Sequence, residues 1–271
     1  VTIPASTVIQ IDTSTNVEYA KVTGVSGTGP FVLTLASPLT IAHSSAAVVV
    51  TQTTHTFTQL RTASTVWPTY SITVDDLTDV RGYAGCVASE LQIKIDPKGI
   101  VTFSPKYMGF PSATVATFTP AYTTVQPLLG WQWTMSNAGG ASTRGLTFDV
   151  TLKRAVEAVN SSDGTPSPRE IFPGALEADG SYKAIYESNT DLNLFMQYAQ
   201  TPTTATLTQP VSATVPGMSL AITMSKSGYH KGTVDLGQTY VQADFDMSAI
   251  YNTTDTGIAT VVLKNFSAAT Y

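Results

Sequence analysis

Cysteine is almost missing from this chain. Cys86 stands alone, so no intramolecular disulfide can staple the fold. Charge is scarce too: only 12% of residues are Asp, Glu, Lys or Arg, so something other than ionised groups has to wet the surface. The 14 Lys and Arg are outnumbered by 19 Asp and Glu, a net charge of −5. A protein that grips nucleic acid carries a basic excess, because phosphate neutralisation supplies most of its affinity, and that excess is absent. The three histidines, His43, His55 and His230, have no Cys or carboxylate at ligand spacing and read as surface or half-buried side chains, so no metal site is expected. No Gly-x-Ser-x-Gly elbow is present, and no His lies near Cys86 in sequence. The reading is therefore of a protein that is not an enzyme and holds no cofactor. No apolar run reaches the length of a membrane helix, and no basic-then-apolar leader is visible. Whether residues precede Val1 is left open.

What the chain has in quantity is threonine, 44 of its 271 residues. The β-branched Thr packs well on a pleated surface and wets it without charge. Nineteen Gly and 15 Pro interrupt the chain at short intervals, which argues for many strands and few helices. The clearest stretch is Cys86 to Pro105. Leu91, Ile93 and Ile95 alternate with Gln92, Lys94 and Asp96, the period of a strand with one dry face. Asp96-Pro97-Lys98-Gly99 is a turn, and Val101 and Phe103 then alternate with Thr102 and Ser104. A second amphipathic hairpin is expected over 131–156. Trp131, Trp133 and Met135 alternate first, the Asn137-Ala138-Gly139-Gly140 turn follows, and Leu146, Phe148, Val150 and Leu152 alternate after it.

Around these hairpins the sequence divides into residues 1–52, a small β unit of four short strands, and residues 53–271, the main β domain. The Gly24–Pro30 run lacks the spacing and the Lys-Ser/Thr of a phosphate loop and reads as a hairpin turn. The paired Asp75 and Asp76 read as a turn after a strand. Residues 106–130 carry three prolines and read as a long loop. Its Tyr107, Phe110, Phe118 and Tyr122 either dock on another chain or pack down on their own. Residues 160–182 read as a surface loop. One helix is expected near 189–199, capped by Asn189 or Thr190, with Asp191 at its positive end and Leu192, Phe195, Met196 and Ala199 as its apolar stripe. Strands are expected again over 219–224, 238–247 and 258–265.

From Tyr70 onward the chain resembles the tail tube proteins, or major tail proteins, of long-tailed bacteriophages. The likeness rests on Tyr83-Ala84-Gly85-Cys86 leading into the Val87–Ile95 strand, the Gly turn before Phe103-Ser104, Gly130-Trp131-Gln132, Leu152-Lys153-Arg154, the spacing to Asp191, and Leu263-Lys264-Asn265-Phe266 with a terminal Tyr271. The first fifty residues are similar, more loosely, to small β modules of phage tail proteins. The resemblance implies an all-β chain with one short helix: a β-sandwich whose inner sheet joins neighbouring copies into a closed barrel, plus the small N-terminal unit as a decoration or an inter-ring contact. It implies a structural virion protein whose six-fold rings stack into a hollow tube. The tube houses a tape-measure protein, meets tail terminator and baseplate or tip proteins, and conducts viral DNA without specific binding. Assembly in the host cytoplasm and residence in the virion tail follow, with no membrane partner. With that role, Gln92, Lys94, Thr102, Ser104, Gln132, Thr134, Thr147, Asp149 and Thr151 are expected to face the bore, and Tyr107, Phe110, Phe118 and Tyr122 to reach the adjacent ring. Two alternatives stand beside it: a sugar-binding β-sandwich using Trp67, Trp131 and Trp133 as a stacking platform, and a capsid or decoration protein.

Overall fold

The computed structural model describes residues 3–4, 6–13, 16–28, 31–45, 47–58, 68–76, 78–116, 126–137, 140–142 (backbone alone), 144–162, 164, 166–237 and 239–267. The chain is all-β with one short helix. Four strands, β1 (Val8–Ile11), β2 (Glu18–Ser26), β3 (Val32–Leu35) and β4 (Val49–Thr51), form an antiparallel sheet in the order β3-β2-β1-β4. Each of the four strand candidates expected before residue 52 has its counterpart here. Alternation puts Ile9, Ile11, Ala20 and Val22 on one face, where they make a small core of their own with Leu33 and Leu35. The first three residues of the expected Gly24–Pro30 turn belong to β2 instead, Gly24, Val25 and Ser26 pairing with Thr34, Leu33 and Val32, so β2 and β3 form a hairpin; Gly29 and Pro30 lie outside the described residues.

The remaining strands are β5 (Thr53–Thr58), β6 (Tyr70–Asp75), β7 (Val80–Ile95), β8 (Thr102–Met108), β9 (Ala113–Thr114), β10 (Trp133–Asn137), β11 (Gly140–Ser142), β12 (Gly145–Val159) and β13 (Glu170–Ile185). After helix α1 (Thr190–Met196) come β14 (Gln200–Thr208), β15 (Val211–Ser212), β16 (Val215–Pro216), β17 (Ser219–Asp235), β18 (Gln242–Ala249) and β19 (Thr260–Asn265). All but β15 and β16 belong to one hydrogen-bonded network of 13 strands, every pairing antiparallel. The network folds into two layers because β17 belongs to both. Its first part, Ser219–Thr223, lies between β14 and β19, and its later part, from Ser227, pairs with β18, with β14 still on its other side as far as Gly228. One layer runs β17-β18-β13-β12-β7-β8, and the other runs β10-β14-β17-β19-β5.

Between the layers lies the main core. Ile93, Ile95, Phe148, Val150, Tyr182, Phe245 and Met247 from the first layer meet Trp133, Met135, Leu207, Ile222 and Met224 from the second. Trp133 stacks on Phe148 with ring centroids 5.8 Å apart, and Tyr182 on Phe245 at 5.3 Å. Burying large side chains of this kind contributes about 1.5–3 kcal/mol each. No sheet closes on itself among the described residues.

The 86–105 hairpin forms as expected: Lys94 pairs with Thr102 and Gln92 with Ser104. In its turn the Gly99 amide donates to the Asp96 carbonyl at 3.0 Å. Gly130 then presses on that turn so closely that a Cβ would fall 1.7 Å from the Asp96 oxygen. The second expected hairpin does not form. β10 pairs with β14 and β11, while β12 pairs with β13 and β7, so 131–137 and 145–156 sit in different layers. Trp131 is 62% exposed, because residues 130–132 make a 3₁₀ turn that breaks the alternation before Trp133.

The expected surface loop 160–182 also gives way, since 170–185 is β13, a strand inside the first layer. Its Pro173 and Gly174 fall where β12 and β13 project beyond β18 and pair only with each other. A missing N–H is tolerated there. The helix is shorter than expected, and its Leu194 and Phe195 face the core while Met196 is 66% exposed. Part of the expected 106–130 loop is strand instead: β8 extends to Met108 and β9 pairs with Arg81 and Gly82. The Asp75-Asp76 turn is as expected, with Asp76 Oδ1 accepting from the Thr78 and Asp79 amides.

Candidate functional site

Opposite the core, the six-strand layer presents a polar face. Antiparallel register sets its side chains in rungs, each residue beside its neighbour on the next strand. One rung runs Lys106–Glu90–Lys153–Glu177. The next runs Ser104–Gln92–Thr151–Asp179–Ser248–Gly228, and the third Thr102–Lys94–Asp149–Ser181–Asp246–Lys231. The fourth is shorter, Thr147–Lys183–Asp244–Thr233.

Four of the five lysines on these rungs form ion pairs with carboxylates. Lys153 Nζ lies 2.7 Å from Asp179 Oδ2 and 3.6 Å from Glu177. Lys183 reaches Asp244 at 3.0 Å, Lys231 reaches Asp246 at 3.2 Å and Lys106 reaches Glu90 at 2.8 Å. The Lys153 ammonium holds the Asp179 carboxyl below its ordinary range, helped by the Ser248 hydroxyl, which donates to Asp179 at 2.7 Å. The same contact raises Lys153. Lys94 stands opposite Asp149. Partial burial pushes the Asp149 carboxyl up, and the charge of Lys94 opposes that rise. In the four rungs five lysines face six carboxylates, so the balance is close to neutral although charge is plentiful.

A hollow of about 670 Å³ opens on this face, lined by Gln92, Asp149, Thr151, Asp179, Asp246 and Ser248 with Gly228 among them. Among the described residues no group of three or more His, Cys, Asp or Glu is arranged to hold a metal. His230 lies 3.4 Å from the Ser248 hydroxyl, which already donates to Asp179, so the trio lacks the Ser–His–Asp order of a hydrolase.

Seven of the nine residues expected on one polar face are brought together here: Gln92, Lys94, Thr102, Ser104, Thr147, Asp149 and Thr151. Gln132 and Thr134 are not among them. Gln132 lies in the 3₁₀ turn, with its side-chain carbonyl taking the Leu129 amide at 3.0 Å. Thr134 belongs to the second layer, beside Thr206. The outside of that layer carries its own rungs, Thr134–Thr206–Ala221–Val262–Thr56 and Ser136–Thr204–Thr223–Thr260–Thr58. The threonine load therefore concentrates there, and the six-strand face is wetted by paired charges instead.

The half of this face supplied by β13, β18 and the end of β17 was missed in sequence. A signal was present: Ala178, Gly180, Tyr182 and Ala184 alternate with Asp179, Ser181 and Lys183, and Ala243, Phe245 and Met247 with Asp244, Asp246 and Ser248. Of the four loop aromatics, Tyr107 is 43% exposed and meets Tyr70 edge-on at 5.9 Å. Phe110 is half-buried, folded over Gly85 so closely that a Cβ there would meet its ring at 2.7 Å. Phe118, Tyr122 and Trp67 lie outside the described residues.

The N-terminal sheet holds a second polar cluster that the sequence did not reveal. Glu18 is 1% exposed and accepts from the Thr40 amide at 2.6 Å, the Thr40 hydroxyl at 3.0 Å and the Ile41 amide at 3.1 Å, with His43 Nε2 also at 3.1 Å. Burial alone would raise its carboxyl; these donors outweigh burial and lower it to about 2. Of the histidines expected at the surface or half-buried, His43 is half-buried with little of its side chain exposed, and His55 is buried and bonds Asn265 at 2.9 Å. The sheet meets the β15–β16 hairpin through the Tyr19 amide on the Ala213 carbonyl, 3.0 Å, and the Gln52 side chain just past β4 reaches the Pro216 and Gly217 carbonyls, both 3.0 Å.

Among curated proteins none matches the chain. A family model for phage tail tube proteins matches residues 2–249, which takes in the N-terminal sheet and every strand of the polar face. This chain thus belongs to the phage tail tube protein family, structural proteins that self-assemble into the tube of the bacteriophage tail.

Proposed function

We propose that copies of this chain join side by side into six-fold rings that stack into a hollow tube, with the six-strand polar face lining the bore. Gln92, Lys94, Thr102, Ser104, Thr147, Asp149 and Thr151 line it, together with Asp179, Ser181, Lys183, Asp244, Asp246 and Lys231. Gln132 and Thr134 are left off the bore, since Gln132 lies in the 3₁₀ turn and Thr134 on the other layer. The ion pairing of four of the five lysines with carboxylates on the next strand, with Lys94 set opposite Asp149, carries this reading. A polyanion is held when ammonium groups neutralise its phosphates and release counterions. Lysines that already have acidic partners offer little of that gain, so duplex DNA passes without sticking. The bore holds the tape-measure protein before DNA enters, and the tube ends meet the terminator and the baseplate or tip proteins. Assembly takes place in the host cytoplasm. The segment 106–130, with Tyr107, Phe110, Phe118 and Tyr122, reaches the adjacent ring. Residues 1–52 form a decoration on the tube of residues 53–271, seated on the β15–β16 hairpin.

The test is labelling of assembled tubes carrying Thr151→Cys in a Cys86→Ala background. A small maleimide enters a bore, whereas a maleimide on a large polymer does not. Selective blocking of the large reagent supports the assignment, and equal labelling by both places this face outside and overturns it.

A further inference from the structure

The six-strand layer has two open edges, and their directions decide how copies fit together. Along β17-β18-β13-β12-β7-β8 every neighbour is antiparallel. With six strands, an even number, the two outermost run in opposite senses. In a ring built by rotation, the β8 of one copy therefore meets the β17 of the next antiparallel, the same relation that holds inside each copy. Among the described residues no strand pairs with the outer side of β8, or with that of β17 from Lys231 to Val234. Unpaired edges of this kind are templates for another strand.

Both edges are flanked by exposed apolar groups. Beside β8 stand Phe103, 48% exposed, with Tyr107 and Ile100. Beside the end of β17, α1 covers the core side through Phe195, which lies against Gly232. It is followed by Tyr198, 84% exposed and held at φ 51°, a conformation costly for a side-chain-bearing residue. Leu236, just past the strand, is exposed as well.

We infer that β8 of one copy (Thr102–Met108) zips antiparallel onto the Lys231–Val234 edge of its neighbour, burying Phe103 and Tyr107 against the α1 side. This rests on the tube reading above and names its lateral joint. The joint is heterologous: β8 and β17 are different surfaces, so each added copy leaves one of each exposed until the ring closes. Pro105 lies in the middle of β8 and has no N–H to donate, so the joint's ladder bonds fall on either side of it.

Disulfide trapping tests this. In a Cys86→Ala background, Thr102→Cys or Ser104→Cys is combined with Lys231→Cys or Thr233→Cys, and the folding of each variant is checked by circular dichroism. Tubes of at least one combination, oxidised and run in denaturing gel without reductant, should give a ladder from dimer up to the ring number. Single-cysteine tubes should stay monomeric, because the joint sets each cysteine against a strand that carries none. Phe103→Asp should leave a folded monomer that no longer assembles, while Phe31→Asp, on the N-terminal sheet, should leave assembly unchanged. Tubes that form with all four combinations yet give no ladder overturn the joint and leave the tube reading standing. Failure of the unmodified chain to form tubes under any condition counts against the tube reading, and the joint falls with it.

Discussion

If the polar face lines the bore as proposed, unmasking its lysines should make it hold duplex DNA. Asp244→Asn with Asp246→Asn removes the partners of Lys183 and Lys231. In the four rungs the balance moves from one excess carboxylate to one excess lysine per copy, a change of two charges that a ring multiplies. The fold should survive, because these ion pairs are substantially solvent-exposed and such pairs are worth about 0–1 kcal/mol. Each lysine newly free to neutralise a phosphate steepens the salt dependence of duplex binding by about 0.9 in log–log slope. Two such contacts give about 1.8, so lowering salt fourfold tightens binding roughly tenfold. The assay is fluorescence anisotropy of a short labelled duplex titrated with assembled tubes at several salt concentrations. A control variant, Asp79→Asn with Glu187→Gln, removes as many acidic charges from the partners of Arg81 and Arg144, off the four rungs. Strong, salt-dependent retention by the first variant and not by the control is expected. If the two bind DNA alike, or neither does, masked lysines are not what keeps the face slippery.

Other outcomes follow from geometry alone. Gly130→Ala places a Cβ on the Asp96 carbonyl and should destabilise the β7–β8 turn by about 1–3 kcal/mol, read by urea denaturation. Phe148→Ala, emptying the centre of the core beneath Trp133, should cost about 3–5 kcal/mol in the same experiment. Because Glu18 titrates at about 2 when folded and near 4.5 when unfolded, its contribution is complete above pH 4.5. That contribution should fade as pH drops toward 2, loosening the N-terminal sheet first. Hydrogen exchange of the β1 and β2 amides in wild type and in Glu18→Gln should converge at acid pH and diverge at neutral pH.

Much of the strand content was legible, because alternation is a local signal. Leu91, Ile93 and Ile95 announce β7 without help from the rest of the chain. Partnership was less legible. Gly139-Gly140 looked like the turn that joins β10 to β12, yet β10 pairs across sequence with β14, some seventy residues on. Only tertiary packing decides between such options. β13 was hidden by Pro173 and Gly174, which mark a turn in most contexts but here occupy a ribbon with an open side. The consequence for the polar face was direct: half its rungs come from β13 and β18, so neutralisation of its lysines could be guessed only for Asp149. Glu18 was invisible for a different reason. Its donors come from a loop more than twenty residues away, and no spacing rule connects them.

The 17-residue strand β17 is woven into both layers along one unbroken backbone. If copies join at its far end as inferred above, a force pulling them apart is carried covalently to the opposite wall of the same subunit, past the dispersion contacts between the layers. The layers cannot slide over one another without rupturing that shared strand's ladders, so a subunit under load should yield all at once and hold its shape until it does. For a long, thin conduit that bends in a stirred medium, that makes each subunit a stiff link and leaves bending to the contacts between links.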